Sequence, residues 1–511
     1  MSDMELPTLP ARISDVPKRW ANETPDALAL RDGESEWTYR QLGVAIVDAK
    51  SRLQKIGVRA GDRVVVVTEN CMAVIAILFA VAELDAWFVL VNARLTALEI
   101  DAITDNSGAR LILFTSATSP DAMAHATRLQ ASAQHWGLIG KLSVSAVNAS
   151  CEPEPVFERN DEQVAALVYT TGTTGKPKGV MLTHRNLLHV ATVSAFLRHL
   201  TNADRAYGVL PISHVYGLSS VTLGTLTAGA CLHIATRFAA SAVAHALMND
   251  AITVFQGVPA MYAKLIELVA DDKNFSAPQL RFTYAGGSPL DPALKARSEA
   301  RLGLTLHNGY GLTESGPTVS QTRLERPRHD CSVGEIIPGV TVRIVNSQGH
   351  DVANGEPGEL WLRGPNVMKG YYRDPQLTQT VIIDGWLKTG DLGRIDADGA
   401  LFIVGRSKEL IIRSGFNVYP VEVEAALNSH PAVSQSAVVG RDVADNEEVV
   451  AFVELKTGQQ ATAEEISAFV SSQLSPYKRP CEIIIMQALP AAPTGKILKN
   501  KLKEIAQKDR K

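Results

Sequence analysis

Residues 170–179, TTGTTGKPKG, pack four threonines, three glycines and two lysines into ten positions. The glycines Gly172, Gly175 and Gly179 let backbone N–H groups turn towards an anion. The hydroxyls of Thr170, Thr171, Thr173 and Thr174 add donors, and Lys176 and Lys178 add charge. That chemistry is a cradle for a polyphosphate. It is not a Walker loop, which needs Gly, four residues, then Gly-Lys-Ser/Thr. Pro177, directly after Lys176, also prevents a helix from starting there in the Walker manner. Taken alone, such a stretch reads equally as a flexible polar loop.

The flanks of the loop suggest how it is held. The apolar run 164–168 reads as a buried strand, and the 3.6-residue spacing over 184–200 reads as a helix. The same alternation of strand-like and helical runs fills the first four hundred or so residues. Strands are expected at 62–68, 111–115 and 253–256, with a helix over 241–249. From 361 to 412 short strands and turns dominate, with Asp398-Gly399 placed as a hairpin turn. Beyond residue 406 comes a compact mixed segment. Pro420 opens a helix over 421–428, strands follow at 436–439 and 448–455, and Thr462 with Glu465 forms a capping box before another helix. A strand at 482–486 and a basic terminal helix complete it. The fold class is therefore α/β: a large N-terminal domain, 1–406, of layered α/β subdomains plus a β-rich subdomain, and a small α+β C-terminal domain, 407–511.

The chain has 511 residues, 46% of them hydrophobic and 20% charged, with a net charge of -4. That length exceeds one compact core, and the charge gives no reason to expect nucleic acid as a partner. Its five cysteines are scattered, without a CxxC pair, which argues against a disulfide framework or a zinc site and suits a reducing cytoplasm. The first residues lack the design of a signal peptide. Residues 71–91 are long and apolar enough to span a bilayer, but Glu83 and Asp85 within them favour a buried helix running into a strand. No integral membrane association is expected.

Five further segments carry chemistry-bearing residues: 284–290 (YAGGSPL), 308–314 (NGYGLTE), 385–391 (GWLKTGD), 405–424 (GRSKELIIRSGFNVYPVEVE) and 490–496 (PAAPTGK). With the phosphate loop they resemble, in order and spacing, the motifs of the adenylate-forming superfamily, which includes acyl-CoA synthetases, luciferases and peptide-synthetase adenylation domains. The resemblance covers nearly the whole chain, and SGFNVYPVEVE is most similar to bacterial fatty-acid and aryl-acid CoA ligases. It implies ATP, Mg²⁺ and coenzyme A as cofactor and co-substrates. Activating a carboxylate as an acyl-adenylate brings two anions together, which calls for fixed cations, a metal and backbone donors.

By resemblance, the phosphate loop holds the β and γ phosphates, Thr313 reaches the α-phosphate and Glu314 holds Mg²⁺. Tyr310 stacks on adenine, with Asn308, Gly309, Gly311 and the Gly286-Gly287 turn against the base and acyl group. Asp391 accepts bonds from the ribose hydroxyls, and Arg406 adds one at the ribose or phosphate. Lys496 bridges the substrate carboxylate and the α-phosphate, a task suited to a mobile point charge. Lys408 matches the hinge about which the small mobile domain rotates. Ser414, Gly415 and Phe416 then face the active site and bind CoA. His214, in LPISHVYGL, stands near the acyl site. As isolated residues each has a plain structural reading: a loop acid, a core tyrosine, a turn aspartate, a solvated lysine, a structural histidine.

The segments expected to line the acyl pocket (214–219, 284–288 and 309–317) contain no lysine or arginine, so dicarboxylic acids are disfavoured. The expected activity is an AMP-forming acid–thiol ligase acting on a medium- or long-chain fatty acid. The alternatives are an aryl or hydroxycinnamate CoA ligase, or an acyl-AMP ligase serving a carrier protein. A non-catalytic nucleotide-binding relative would be expected to have lost Lys496, Glu314 or Asp391, and all three are present. A homodimeric partner is left open, as is a lysine acetyltransferase acting on Lys496.

Overall fold

The computed structural model describes residues 6–171, 177–414, 416–443, 446–491 and 497–508. A nine-stranded sheet runs in the order Glu335–Ile336, Thr318–Gln321, Leu306–Gly311, Phe282–Ala285, Val254–Gly257, Arg205–Gly208, Cys231–Ile234, Leu28–Asp32, Ser35–Thr38. From Leu306–Gly311 to Leu28–Asp32 all neighbours are parallel. An eight-stranded sheet runs Gly370–Tyr371, Pro177–Thr183, Val164–Thr171, Trp87–Asn92, Arg63–Thr68, Leu111–Phe114, Gly140–Val144, Ser132–Trp136. Parallel strands covered on both faces need continuous apolar runs, and every residue of Arg63–Thr68 is buried. Residues 71–91 form the buried helix Met72–Ala82 followed by strand Trp87–Asn92. No described helix is long and apolar enough to cross a membrane.

The phosphate stretch departs from the expected strand, loop and helix. Val164–Thr171 pairs antiparallel with a second strand, Pro177–Thr183, with Thr170 opposite Lys178 and Thr171 opposite Pro177. The loop therefore joins the two arms of a hairpin. Pro177 is tolerated because it is the first residue of its strand. Gly179, Val180, Leu182 and Thr183 are buried in that strand, a short stretch without a clean period-2 signal beside the helix that follows. That helix, His184–Leu197, stops three residues short of the expected end.

A third sheet joins Thr341–Val345, Gly358–Arg363, Trp386–Ile395 and Ile382–Ile383, with Leu401–Arg406 paired on Trp386–Ile395. Gly399, at φ +85°, turns the latter two strands at the expected hairpin. The C-terminal part has its own cores. Its sheet is Val433–Val443, Asn446–Leu455 and Glu482–Met486, packed with helices Pro420–Asn428, Ala463–Ser471 and Lys499–Lys508. Pro420 stands at the start of the first helix, and Thr462 with Glu465 forms the capping box of the second.

Candidate active site

Three motifs that are far apart in the chain meet on one carboxylate. Pairing of Trp386–Ile395 with Leu401–Arg406 sets Asp391 opposite Arg406, and Arg406 Nε lies 2.9 Å from Asp391 Oδ1. Tyr310, near the end of strand Leu306–Gly311, donates its hydroxyl to Asp391 Oδ2 at 2.5 Å. Asp391 is buried, and its N–H donates to Thr389 Oγ1 at 3.0 Å. Burial, with the Asp391 charge beside it, pushes the Tyr310 phenol well above its ordinary pKa, so it remains a donor. Asp391 also raises the pKa of the Arg406 guanidinium. The result is a fixed acceptor paired with a guanidinium.

A second carboxylate is tied to the phosphate hairpin. Thr313 and Glu314 lie in the single turn Thr313–Ser315, where Thr313 is buried. Tyr371 Oη donates to Glu314 Oε1 at 2.7 Å. Strand Gly370–Tyr371 pairs with Val180 and Met181 on the returning arm of the hairpin. Lys178 Nζ lies 5.6 Å from the centre of the Tyr371 ring. The Glu314 carbonyl accepts from Met368 N at 2.9 Å. Sequence reasoning missed Tyr371, because it lies outside every motif and carries no charge or glycine pattern. Among the described residues no three His, Cys, Asp or Glu side chains cluster as metal ligands. A carboxylate beside this hairpin fits Mg²⁺, which keeps several waters and takes its other ligands from phosphate oxygens.

Around Tyr284 the glycines make room for rings. A Cβ built on Gly309 would lie 1.8 Å from Tyr284 Oη, and one on Gly286 would lie 3.3 Å from both the Tyr216 and Tyr284 rings. These two rings meet edge to face at 6.1 Å. The Asn308 amide donates to the carbonyls of Cys331 and Ser332 at 3.2 and 3.1 Å, so its side chain holds a neighbouring loop. His214 Nδ1 accepts from Tyr216 N at 3.2 Å, and its carbonyl accepts from Leu218 N. That fixes the ring at the head of a π-helical stretch, Tyr216–Leu223, an irregularity common at functional sites. A cation absent from the expected lining segments approaches here: the buried Arg198 guanidinium sits 4.5 Å from the centre of the Tyr284 ring.

The remaining expected positions lie on the C-terminal side. Ser414 adopts φ +52°, and its N–H donates to Asn446 Oδ1 at 2.7 Å. Phe416 is 54% exposed and stacks on Tyr477 at 4.7 Å. Lys408 is exposed in the turn after Arg406. Lys499, which opens the last helix, bridges Glu409 and Glu424 at 3.0 and 2.8 Å and so joins that helix to the Lys408 turn. Gly172, Thr173, Thr174, Gly175, Lys176, Gly415 and Lys496 lie outside the described residues, as does the Thr171 side chain.

Residues 17–372 match the family of AMP-binding enzymes, and residues 422–496 match the AMP-binding enzyme C-terminal domain. The chain belongs to the AMP-binding enzyme family. It is 34% identical over 495 residues to a feruloyl-CoA synthase of Amycolatopsis sp, covering 96% of this chain and 98% of that protein. It is 33% identical over 504 residues to an indoleacetate–CoA ligase of Aromatoleum aromaticum, covering 96% and 98%. Its fold matches ATP-bound MatB from Rhodopseudomonas palustris with TM-score 0.86 and 28% identity, over 98% of this chain and 100% of the other. The AMP-binding enzyme described here is an AMP-forming acid–thiol ligase, working through an adenylate.

Proposed function

We propose that this enzyme converts an aromatic carboxylic acid, of the hydroxycinnamate type, to its CoA thioester at the expense of ATP, through an acyl-adenylate. The observation that carries the reaction is the convergence of Tyr310 and Arg406 on Asp391, with Glu314 held against the phosphate hairpin. The fatty acid expected from the pocket segments gives way to an aryl acid. Similar proteins are named for ferulate, 4-coumarate, 2-succinylbenzoate and indoleacetate, and two buried tyrosine rings flank Gly286.

In this reading Asp391, held by Tyr310 and Arg406, accepts from the ribose hydroxyls. Tyr310, anchored through its hydroxyl, offers its ring to adenine. Thr170, Thr171, Gly172, Thr173, Thr174, Gly175, Lys176 and Lys178 hold the β and γ phosphates, and Thr313 holds the α-phosphate. Glu314 would hold Mg²⁺, which when bound neutralises charge on the phosphates. A substrate carboxylate oxygen bonds to the α-phosphorus as its bond to pyrophosphate breaks, with Lys496 bridging the two anions. The CoA thiolate then attacks the acyl carbon and AMP leaves, with Ser414, Gly415 and Phe416 guiding the pantetheine arm.

The division at 406/407, rotation about Lys408 and control of Lys496 by acetylation belong to the same proposal. So does a cytoplasmic setting, which suits five free cysteines. The test is pyrophosphate release across a panel of aryl and aliphatic acids, with and without CoA. Aryl acids should lead and AMP should accompany thioester. Orthophosphate as the first product would end the adenylate reading.

A further inference from the structure

Behind the Tyr284 motif lies a fully buried cation with no anion among the described residues. Arg198 is 0% exposed. Its Nη1 donates to Gln256 Oε1 at 2.7 Å and to the Ser220 carbonyl at 3.3 Å, and its Nη2 donates to Gln321 Oε1 at 3.3 Å. Among the described residues no carboxylate comes within ion-pair distance of it. Other buried arginines differ: Arg323 has Glu335 at 3.7 Å, and Arg441 has Glu448 at 2.7 Å. A buried charge without a counter-charge is costly.

The groups around Arg198 deepen the imbalance. Arg198 Nε, the amide nitrogens of Gln256 and Gln321, and the hydroxyl of Tyr216 are all buried without a hydrogen-bond partner among the described residues. Both glutamines are 1% exposed and Tyr216 is 6% exposed. Three of these four groups can only donate, and the hydroxyl can donate as well. Native structures leave few such atoms unpaired, and here they converge from four elements. Gln256 is the register partner of Tyr284, and Gln321 that of Gly309. Tyr216 touches the space in front of Gly286. The cluster therefore backs the wall against which the acyl group is placed.

We infer that this donor cluster, centred on Arg198, selects acyl substrates bearing a second oxygen acceptor remote from the carboxyl that is activated, with a carboxylate the strongest match and a phenolic oxygen the weaker one. The inference rests on the proposed placement of the acyl group against Tyr216 and the Tyr284 motif. It reverses the expectation that a second carboxylate is disfavoured, because the cation comes from a helix end outside the motif segments. A site built to bond a polar group rejects the analogue lacking it, since its own donors are then stranded.

The experiment compares cinnamate, 4-hydroxycinnamate and 4-carboxycinnamate in pyrophosphate release by the full chain. Wild type should favour the oxygen-bearing acids by about tenfold or more in kcat/KM. The ranking of the two says whether the acceptor is carboxylate or phenol. Arg198→Met should erase the preference without altering KM for ATP, and Arg198→Lys should restore part of it. Should Arg198→Met not fold, the wild-type ranking decides. Equal kcat/KM for all three acids would overturn the inference while leaving the aryl reading intact. Turnover of an aliphatic acid and of none of the three would overturn the aryl reading instead.

Discussion

At the proposed nucleotide end of this enzyme, polar groups are matched within the protein. Asp391 has Arg406 and Tyr310, and Glu314 has Tyr371. At the proposed acyl end Arg198, Gln256, Gln321 and Tyr216 retain donors that no atom of the described residues takes. The difference follows from what each end must recognise. ATP brings the same hydroxyls and phosphates to every turnover, so its partners gain by being fixed beforehand. The acyl end separates one carboxylic acid from another, and donors completed only by the right ligand penalise the wrong one.

The variants that break this contrast hardest lie on the nucleotide side. Lys496→Ala should slow adenylate formation by roughly a hundred-fold or more, as loss of a transition-state charge does. Conversion of supplied acyl-adenylate to thioester should be largely spared, and equal damage to both half-reactions would refute rotation about Lys408. Glu314→Gln should follow, lowering adenylation by roughly ten- to a hundred-fold with the fold intact by circular dichroism. Near-normal turnover at saturating Mg²⁺ would reduce Glu314 to a loop acid.

Asp391→Asn should raise KM for ATP by about tenfold, the scale of one charged hydrogen bond. An unchanged KM would mean that Asp391 merely anchors Arg406. Tyr371→Phe should have a smaller effect, a few-fold in rate at most, seen as a shift in the Mg²⁺ concentration for half-maximal activity. No shift would uncouple Tyr371 from the metal.

A last prediction concerns stability and leaves activity at neutral pH untouched. Burial lowers His307, which stacks on Phe282 behind the acyl end, and His189 from 6.5 to about 4 each. The unfolded chain then binds protons that the folded one refuses. Stability should be complete above about pH 6.5 and should fall as pH drops towards 4, on the order of 3 kcal/mol per histidine. Thermal melts across this range measure it, and a flat Tm would contradict the burial of these rings.

The legibility of the chain varies with the range of the interaction that shapes it. Pro420 at its helix start, the Thr462–Glu465 capping box and the Asp398-Gly399 hairpin were readable because each is decided within a few residues. The strand Pro177–Thr183 was not, because it lacks a clean alternation and is defined by pairing with its partner strand.

By itself the sequence determined the layered α/β class and the small C-terminal domain, for which residue type and local spacing are enough. It also determined the adenylate-forming family with its motif residues Asp391, Glu314, Tyr310 and Arg406, for which the resemblance of six segments in order was needed. Only the tertiary structure decided that Tyr371 serves Glu314, that the Asn308 side chain holds a loop, and that Arg198 stands beside Tyr284. Arg198 and Tyr284 are brought together by the packing of a helix end on a parallel sheet. A contact of that kind leaves no periodicity or spacing to read in a linear sequence.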